Sequence, residues 1–168
     1  TAKEDRLAAM RDHVDGKVID PSRLRDVFEA ALRPGDKVAL EGDNQKQADF
    51  LSRTLAQCDP GKLNGLHMLI SSVSRSEHLD LFEQGIATKL DLAYAGPQSV
   101  RIAQMVDDGT VQIGAIHTYV ELYARMVLDL IPNVALLCAK AADRDGNLFT
   151  GPNTEDTPTI AEAAAFSD

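Results

Sequence analysis

The stretch Lys37-Val38-Ala39-Leu40-Glu41-Gly42-Asp43-Asn44 decides the fold class. Residues 37–41 read as a short strand, residues 42–44 as a polar turn, and Ala48, Leu51 and Leu55 then recur at helical spacing. A strand that feeds directly into a helix is the first half of a βαβ unit. Upstream, Asp20-Pro21 is a helix-start signal, with Asp as N-cap and Pro at the first helical position. Leu24, Val27, Phe28 and Ala31 then form one apolar stripe, which Arg33-Pro34-Gly35 ends.

Downstream the strand–helix cycle repeats. Residues 66–71 read as a strand, and Ser74-x-x-Glu77 as a capping box that opens a helix through Leu81. Residues 90–95 are a strand, after which Gly96-Pro97 starts a helix carrying Val100, Ala103 and Val106 and closed by Gly109. Residues 110–115 are a strand, and Thr118-x-x-Glu121 is a second capping box. The helix behind it carries Val120, Tyr123, Val127 and Leu130, with apolar residues on its other faces, so it is expected to be well buried. Residues 133–139 form the fifth strand, residues 143–147 a turn at a hairpin tip or surface excursion, and Thr157-Pro158 opens a last helix over 159–166. This alternation predicts an α/β fold: a mostly parallel sheet with helices on both faces, connected by right-handed crossovers.

Composition narrows the function. The chain has 168 residues, enough for one domain at roughly 150 residues each. It holds 26 acidic against 17 basic residues, a net charge of −9, which argues against a nucleic-acid binder that must displace counterions from phosphates. No apolar run reaches the ~18–20 residues of a membrane span, and the opening Thr1-Ala2-Lys3-Glu4-Asp5 has no signal-peptide core. Cys58 and Cys138 show neither C-x-x-C nor metal-ligand spacing, so a reducing, cytoplasmic setting is expected, with Cys138 a buried thiol. His13, His67, His78 and His117 likewise show no metal-ligand spacing. Dinucleotide, P-loop, nucleophile-elbow and zincin motifs are absent.

In an open parallel sheet, ligands bind outside the carboxyl ends of the strands. The segments there are Glu41-Gly42-Asp43-Asn44-Gln45, Ser71-Ser72-Val73-Ser74-Arg75, Gly96-Pro97-Gln98-Ser99 and His117-Thr118. Each opens a helix and so presents free N–H groups suited to a carboxylate, a phosphate or a developing oxyanion. Each also has a purely structural reading. Asp43, Ser74, Thr118 and Thr157 suit N-caps, Gly96-Pro97 a turn, and His117 a satisfied core position. Glu41 and Asp43, two carboxylates at one strand end, repel unless solvated or used.

The same loops carry a resemblance. The run Leu40-Glu41-Gly42-Asp43-Asn44-Gln45-Lys46-Gln47-Ala48-Asp49-Phe50-Leu51 resembles the α-subunit family of malonate decarboxylase. So do Ser72-Val73-Ser74-Arg75, Glu77-His78-Leu79-Asp80-Leu81-Phe82, Ala95-Gly96-Pro97-Gln98-Ser99 and the run from Ala115 through His117-Thr118 to Tyr123. Gly146-Asn147-Leu148 and Gly151-Pro152-Asn153-Thr154-Glu155-Asp156-Thr157-Pro158 complete the likeness, which covers nearly the whole chain.

The resemblance implies a relative of the family I CoA-transferases: a transferase that exchanges acetyl-S-carrier and malonate for malonyl-S-carrier and acetate. It implies a CoA-transferase-like domain over residues 1–168, expected to be the N-terminal piece of a longer two-domain chain. The implied partners are the acyl carrier protein and the other malonate decarboxylase subunits, in an oligomer. The thiol belongs to a dephospho-CoA-derived prosthetic group on the carrier, with no cofactor covalently held here. Glu41, Gly42, Asp43, Asn44, Gln45, Ser72, Gly96, Pro97, Gln98, His117, Thr118, Asn153 and Thr154 are the implied substrate- and thioester-binding positions. The glycine-rich G-x-G-G-F-type loop of the CoA-transferases is replaced here by Glu41-Gly42-Asp43-Asn44, with one glycine. None of Glu41, Glu121 or Glu155 matches the family's nucleophilic glutamate, which is expected beyond Asp168, so these residues alone are expected to show no turnover.

Two other functions fit the same fold: the α subunit of an acyl-CoA:carboxylate CoA-transferase, and a non-catalytic small-anion-binding module. Charge adds one further expectation. Ten acidic and three basic residues fall between Asp107 and Asp168, so an acidic carrier is steered to the other part of the chain. Lys46 and Arg75 are the expected docking cations, with Arg53 and Lys62 behind them.

Overall fold

The computed structural model describes residues 1–42, 46 and 48–167. Five parallel strands form its sheet: β1 (Lys37–Leu40), β2 (Leu66–Ser72), β3 (Ala87–Tyr94), β4 (Gln112–Ile116) and β5 (Val134–Leu136), in the order β4-β3-β2-β1-β5. The helices are α1 (Ala2–Met10), α2 (Leu24–Ala31), α3 (Asp49–Leu55), α4 (Glu77–Glu83), α5 (Ser99–Asp107), α6 (Tyr119–Leu128) and α7 (Thr157–Ala165). A two-stranded ribbon, β6 (Ala141–Ala142) against β7 (Leu148–Phe149), flanks the expected turn at 143–147.

Alternation along the strands sends side chains to two different layers. Val38, Leu40, Met68, Ile70, Leu90 and Leu92 face one side, where Leu24 and Phe28 of α2, Leu55 of α3, Leu79 and Phe82 of α4, and Ile102 and Met105 of α5 complete the main core. Ala39 and Leu69 face the other side and meet Leu122 and Met126 of α6 and Ile160 and Ala163 of α7. Helices therefore cover both faces, as the βαβ pattern requires.

Several local expectations are corrected. The Ser74-x-x-Glu77 box does not form: α4 starts at Glu77 with Ser76 before it, and the Ser74 hydroxyl instead donates to the Gly42 carbonyl at 2.6 Å. Beside the exit of β1 the hydroxyl donates to a backbone carbonyl rather than accepting from the helix amides as a cap would. Thr118 does cap α6, accepting the Glu121 N–H at 3.2 Å. Asp156, not Thr157, precedes α7. Of α6 only Leu122 and Met126 are buried, so the expectation of a well-covered helix fails on its outer face.

The sequence reading missed α1, whose apolar stripe is weak. Its position is set by Arg6, which donates to Asp36 at 2.6 and 2.7 Å and to the Ala31 carbonyl at 2.7 Å. No described helix is long and apolar enough to cross a membrane.

Candidate functional site

All five strands run in parallel, so their carboxyl ends lie along one edge. The chain leaves β1, β2, β3 and β4 there through Glu41, Val73, Ala95 and His117. The strand order places a reversal between β1 and β5: β1 to β4 progress in one direction, and β5 is added on the opposite side of β1. A crevice at such a switch point is where open α/β sheets bind ligands.

Glu41 stands at that point, and it is fully buried. Its backbone N–H donates to Leu136 O at 3.0 Å, and its carboxylate accepts the Cys138 N–H at 2.6 Å and the Thr157 hydroxyl at 2.5 Å. Lys46 Nζ lies 3.1 Å from the carboxylate and also donates to Thr157 Oγ1. Glu41 is thus the tie between β1, the exit of β5 and the start of α7, not a carboxylate open to substrate. Lys46 is corrected in the same way: it is a buried counter-ion, not a solvated docking charge. Arg75 is exposed and lies 3.5 Å from Glu77, Arg53 pairs with Asp49 at 2.6 Å, and Lys62 with Glu29 at 2.8 Å.

A second buried carboxylate repeats this arrangement one strand over. Asp156 accepts hydrogen bonds from the Ser71 hydroxyl at the end of β2 and from the Tyr123 hydroxyl on α6. Burial and the neighbouring carboxylate push the Tyr123 hydroxyl well above its ordinary pKa, so it stays a donor. Together Glu41 and Asp156 seat the 154–157 segment on the sheet edge. Thr154 O accepts from Lys46 at 3.4 Å, and Asn153 lies beside it in sequence, so both are carried to the switch point.

Gly42 meets the exit of β2 and the first turn of α4. A Cβ built on it falls 2.4 Å from Ser72 O, 2.7 Å from Ile70 Cγ2 and 3.2 Å from His78 Cε1. The single glycine of this loop is therefore required by close backbone approach. Among the described residues the buried Ser72 hydroxyl and both buried ring nitrogens of His78 have no hydrogen-bond partner. Burial pushes His78 down to about 4, leaving the ring neutral at physiological pH. Sequence reasoning passed over His78 because its signal, one histidine on an apolar helix face, is that of a core residue.

His117 is buried and anchored through one ring nitrogen, while among the described residues its Nδ1 has no hydrogen-bond partner. Its Nε2 lies 2.6 Å from Asp91 Oδ1, while His67 Nε2 lies 2.6 Å from Asp91 Oδ2. All three side chains are buried, and Gly114 leaves the room: a Cβ there falls 1.9 Å from Asp91 Oδ2. Burial lowers the pKa of His67, against the pull of Asp91. This cluster locks the edge strand β4 to β3 and β2. The described residues contain no group of three His, Cys, Asp or Glu arranged to hold a metal. Gly96, Pro97 and Gln98 form a 3-10 turn before α5, partly or fully exposed at the same edge as Thr118. Asp43, Asn44 and Gln45 lie outside the described residues.

Comparison with known proteins matches residues 1–168 to the family described as "Malonate decarboxylase, alpha subunit, transporter". This chain belongs to that family. It is 50% identical over 167 residues to a protein of Malonomonas rubra named acetyl-S-ACP:malonate ACP transferase, covering 99% of this chain and 30% of that one. Among solved structures, it matches a malonate decarboxylase α subunit from Acinetobacter baumannii at 59% identity and a TM-score of 0.96, over 99% of this chain and 31% of that one. A Pseudomonas malonate decarboxylase hetero-tetramer in complex with malonate matches at 60% identity and a TM-score of 0.95, over 98% and 30%. The chain thus spans about a third of the length of these relatives.

Proposed function

We propose that this chain is part of an acyl-carrier-protein transferase, exchanging acetyl-S-carrier and malonate for malonyl-S-carrier and acetate. The observation that carries this reading is the 50% identity, across 99% of the chain, to the transferase of Malonomonas rubra. The site is the carboxyl edge, with Ser72, Gly96, Pro97, Gln98, Thr118, Asn153 and Thr154 around the acyl group and the carboxylate substrate. Asp43, Asn44 and Gln45 are further candidates. The carrier's dephospho-CoA-derived arm enters as substrate and is not held covalently by this chain. One observation supports a polar ligand at this edge: among the described residues the buried Ser72 hydroxyl has no hydrogen-bond partner.

Glu41 and Lys46 serve this site by holding the 154–157 segment in place. The nucleophile belongs to the remainder of the full-length subunit, since Glu41 is fully buried with its carboxylate engaged. Neither Cys58 nor Cys138 forms a disulfide among the described residues, which fits a reducing cytoplasm, and the subunit works with a carrier protein and further decarboxylase subunits in an oligomer. The test is acetyl-thioester exchange with labelled malonate on the full-length subunit and carrier. Label transfer into malonyl-S-carrier is expected, and exchange with free acyl-CoA in place of the carrier thioester would overturn the carrier assignment.

A further inference from the structure

Helix α6 is apolar on two sides. Leu122 and Met126 face the core, while Val120, Ala124, Val127 and Leu128 lie exposed in a stripe with helical spacing. Ile116 at the end of β4 stands just before this stripe. Ile116, Val120 and Leu128 are 72%, 79% and 75% exposed, far more than large aliphatic side chains need to be on a finished surface. A helix that is hydrophobic all round is normally buried all round. Strand β4 adds to the pattern. It pairs only with β3 among the described residues, and Gln112-Ile113-Gly114-Ala115-Ile116 carries none of the charges that usually protect an open edge. Glu121 and the Arg125–Asp129 ion pair sit beside the stripe, which gives it the polar border of an interface.

The occupant follows from comparative length. The same fold, at TM-scores of 0.96 and 0.95, is part of chains of which it makes up only 31% and 30%. In such a chain the covering polypeptide is covalently attached, so its effective concentration is high and its contact permanent. A permanent contact is the kind that tolerates a strongly apolar surface. We infer that the outer face of α6, with Ile116 at the edge of β4, is the seat of the remaining part of the full-length subunit. This inference does not depend on the transferase reading.

The test uses the full-length subunit alone, prepared as an equal mixture of light and heavy isotope-labelled protein. Val120→Cys and Leu128→Cys are separately coupled to a photo-reactive maleimide and irradiated, with the labelled wild type reporting background from native cysteines. The expected result is adducts on residues outside the matched 168, with same-isotope adducts in about tenfold or greater excess over mixed ones. Mixed-isotope adducts at the statistical level would assign the face to a second copy and overturn the inference. Adducts that form only after the other decarboxylase subunits are added, or no adducts from either position in a protein with a native circular dichroism spectrum, would also overturn it.

Discussion

Replacing Glu41 by Ala tests whether the switch point is held by a buried ion pair. Glu41 is 0% exposed and Lys46 7% exposed, with 3.1 Å between their charged atoms. Removing the carboxylate takes from the buried ammonium the counter-ion 3.1 Å away and takes from the Cys138 N–H and the Thr157 hydroxyl the acceptor that Glu41 supplies. Breaking a buried pair on one side costs about 3–5 kcal/mol, and the orphaned donors are counted within that range because they share one acceptor. At about 2–4 °C per kcal/mol for a domain of this size, the melting temperature falls by about 6–20 °C. Urea unfolding of the purified chain followed by circular dichroism reads the loss directly as a lower midpoint at unchanged slope. The double variant Glu41→Ala, Lys46→Met removes both charges, and it is expected to recover at least half of the loss, because the dominant penalty is a buried ammonium deprived of the Glu41 carboxylate. A loss below about 1 kcal/mol in the single variant would match a solvent-screened surface pair and refute the buried-tie reasoning. A double variant no better than the single one would show that the hydrogen bonds, not the charges, hold the site.

Three further outcomes are expected. Gly42→Ala places a methyl group 2.4 Å from Ser72 O, so the exits of β1 and β2 must separate, at a cost of about 1–3 kcal/mol measured by the same unfolding assay. His78 is held near 4 when folded against 6.5 when unfolded, so between these values the unfolded chain binds the extra proton. Stability is full above about 6.5 and declines as pH falls toward 4, by up to about 1.4 kcal/mol per pH unit; in His78→Gln that part of the pH dependence is expected to vanish from unfolding curves taken across the window. Burial pushes the Cys58 thiol up to about 12, so iodoacetamide at pH 8 should leave it unmodified in the native chain and label it only in denaturant, as peptide mass spectrometry would show.

Much of the layer structure was legible because it is written in short-range periodicity. The stripe Leu24, Val27, Phe28 and Ala31 is buried along its whole length, and Thr118 caps its helix as its spacing predicts. Ser74 failed as a cap because its hydroxyl is decided by Gly42, 32 residues away in the chain. Of the candidate site, the described ends of β1 to β4 lie along one edge as expected, but the pairings of individual side chains were not legible. Glu41 and His117 read as ligand contacts from their place at strand ends. Their partners, Thr157 at a separation of 116 residues and Asp91 at 26, come together only in the folded chain. Lys46 misled for the same reason, since a lysine in a polar loop carries no sign of the carboxylate that buries it.

The sequence by itself determined the alternation of strand and helix, the parallel sheet and its carboxyl edge, because hydrophobic period and turn chemistry are properties of near neighbours. It also carried the family, through long runs of specific residues along nearly the whole chain. Only the tertiary structure decided that β5 joins on the far side of β1, which makes Glu41 the hub of a switch point and α6 an uncovered face. Strand order is a choice among packings that bury similar apolar surface. What separates them is which distant groups can pair: here the Glu41 carboxylate with Lys46, Cys138 and Thr157, and Asp91 with two histidines.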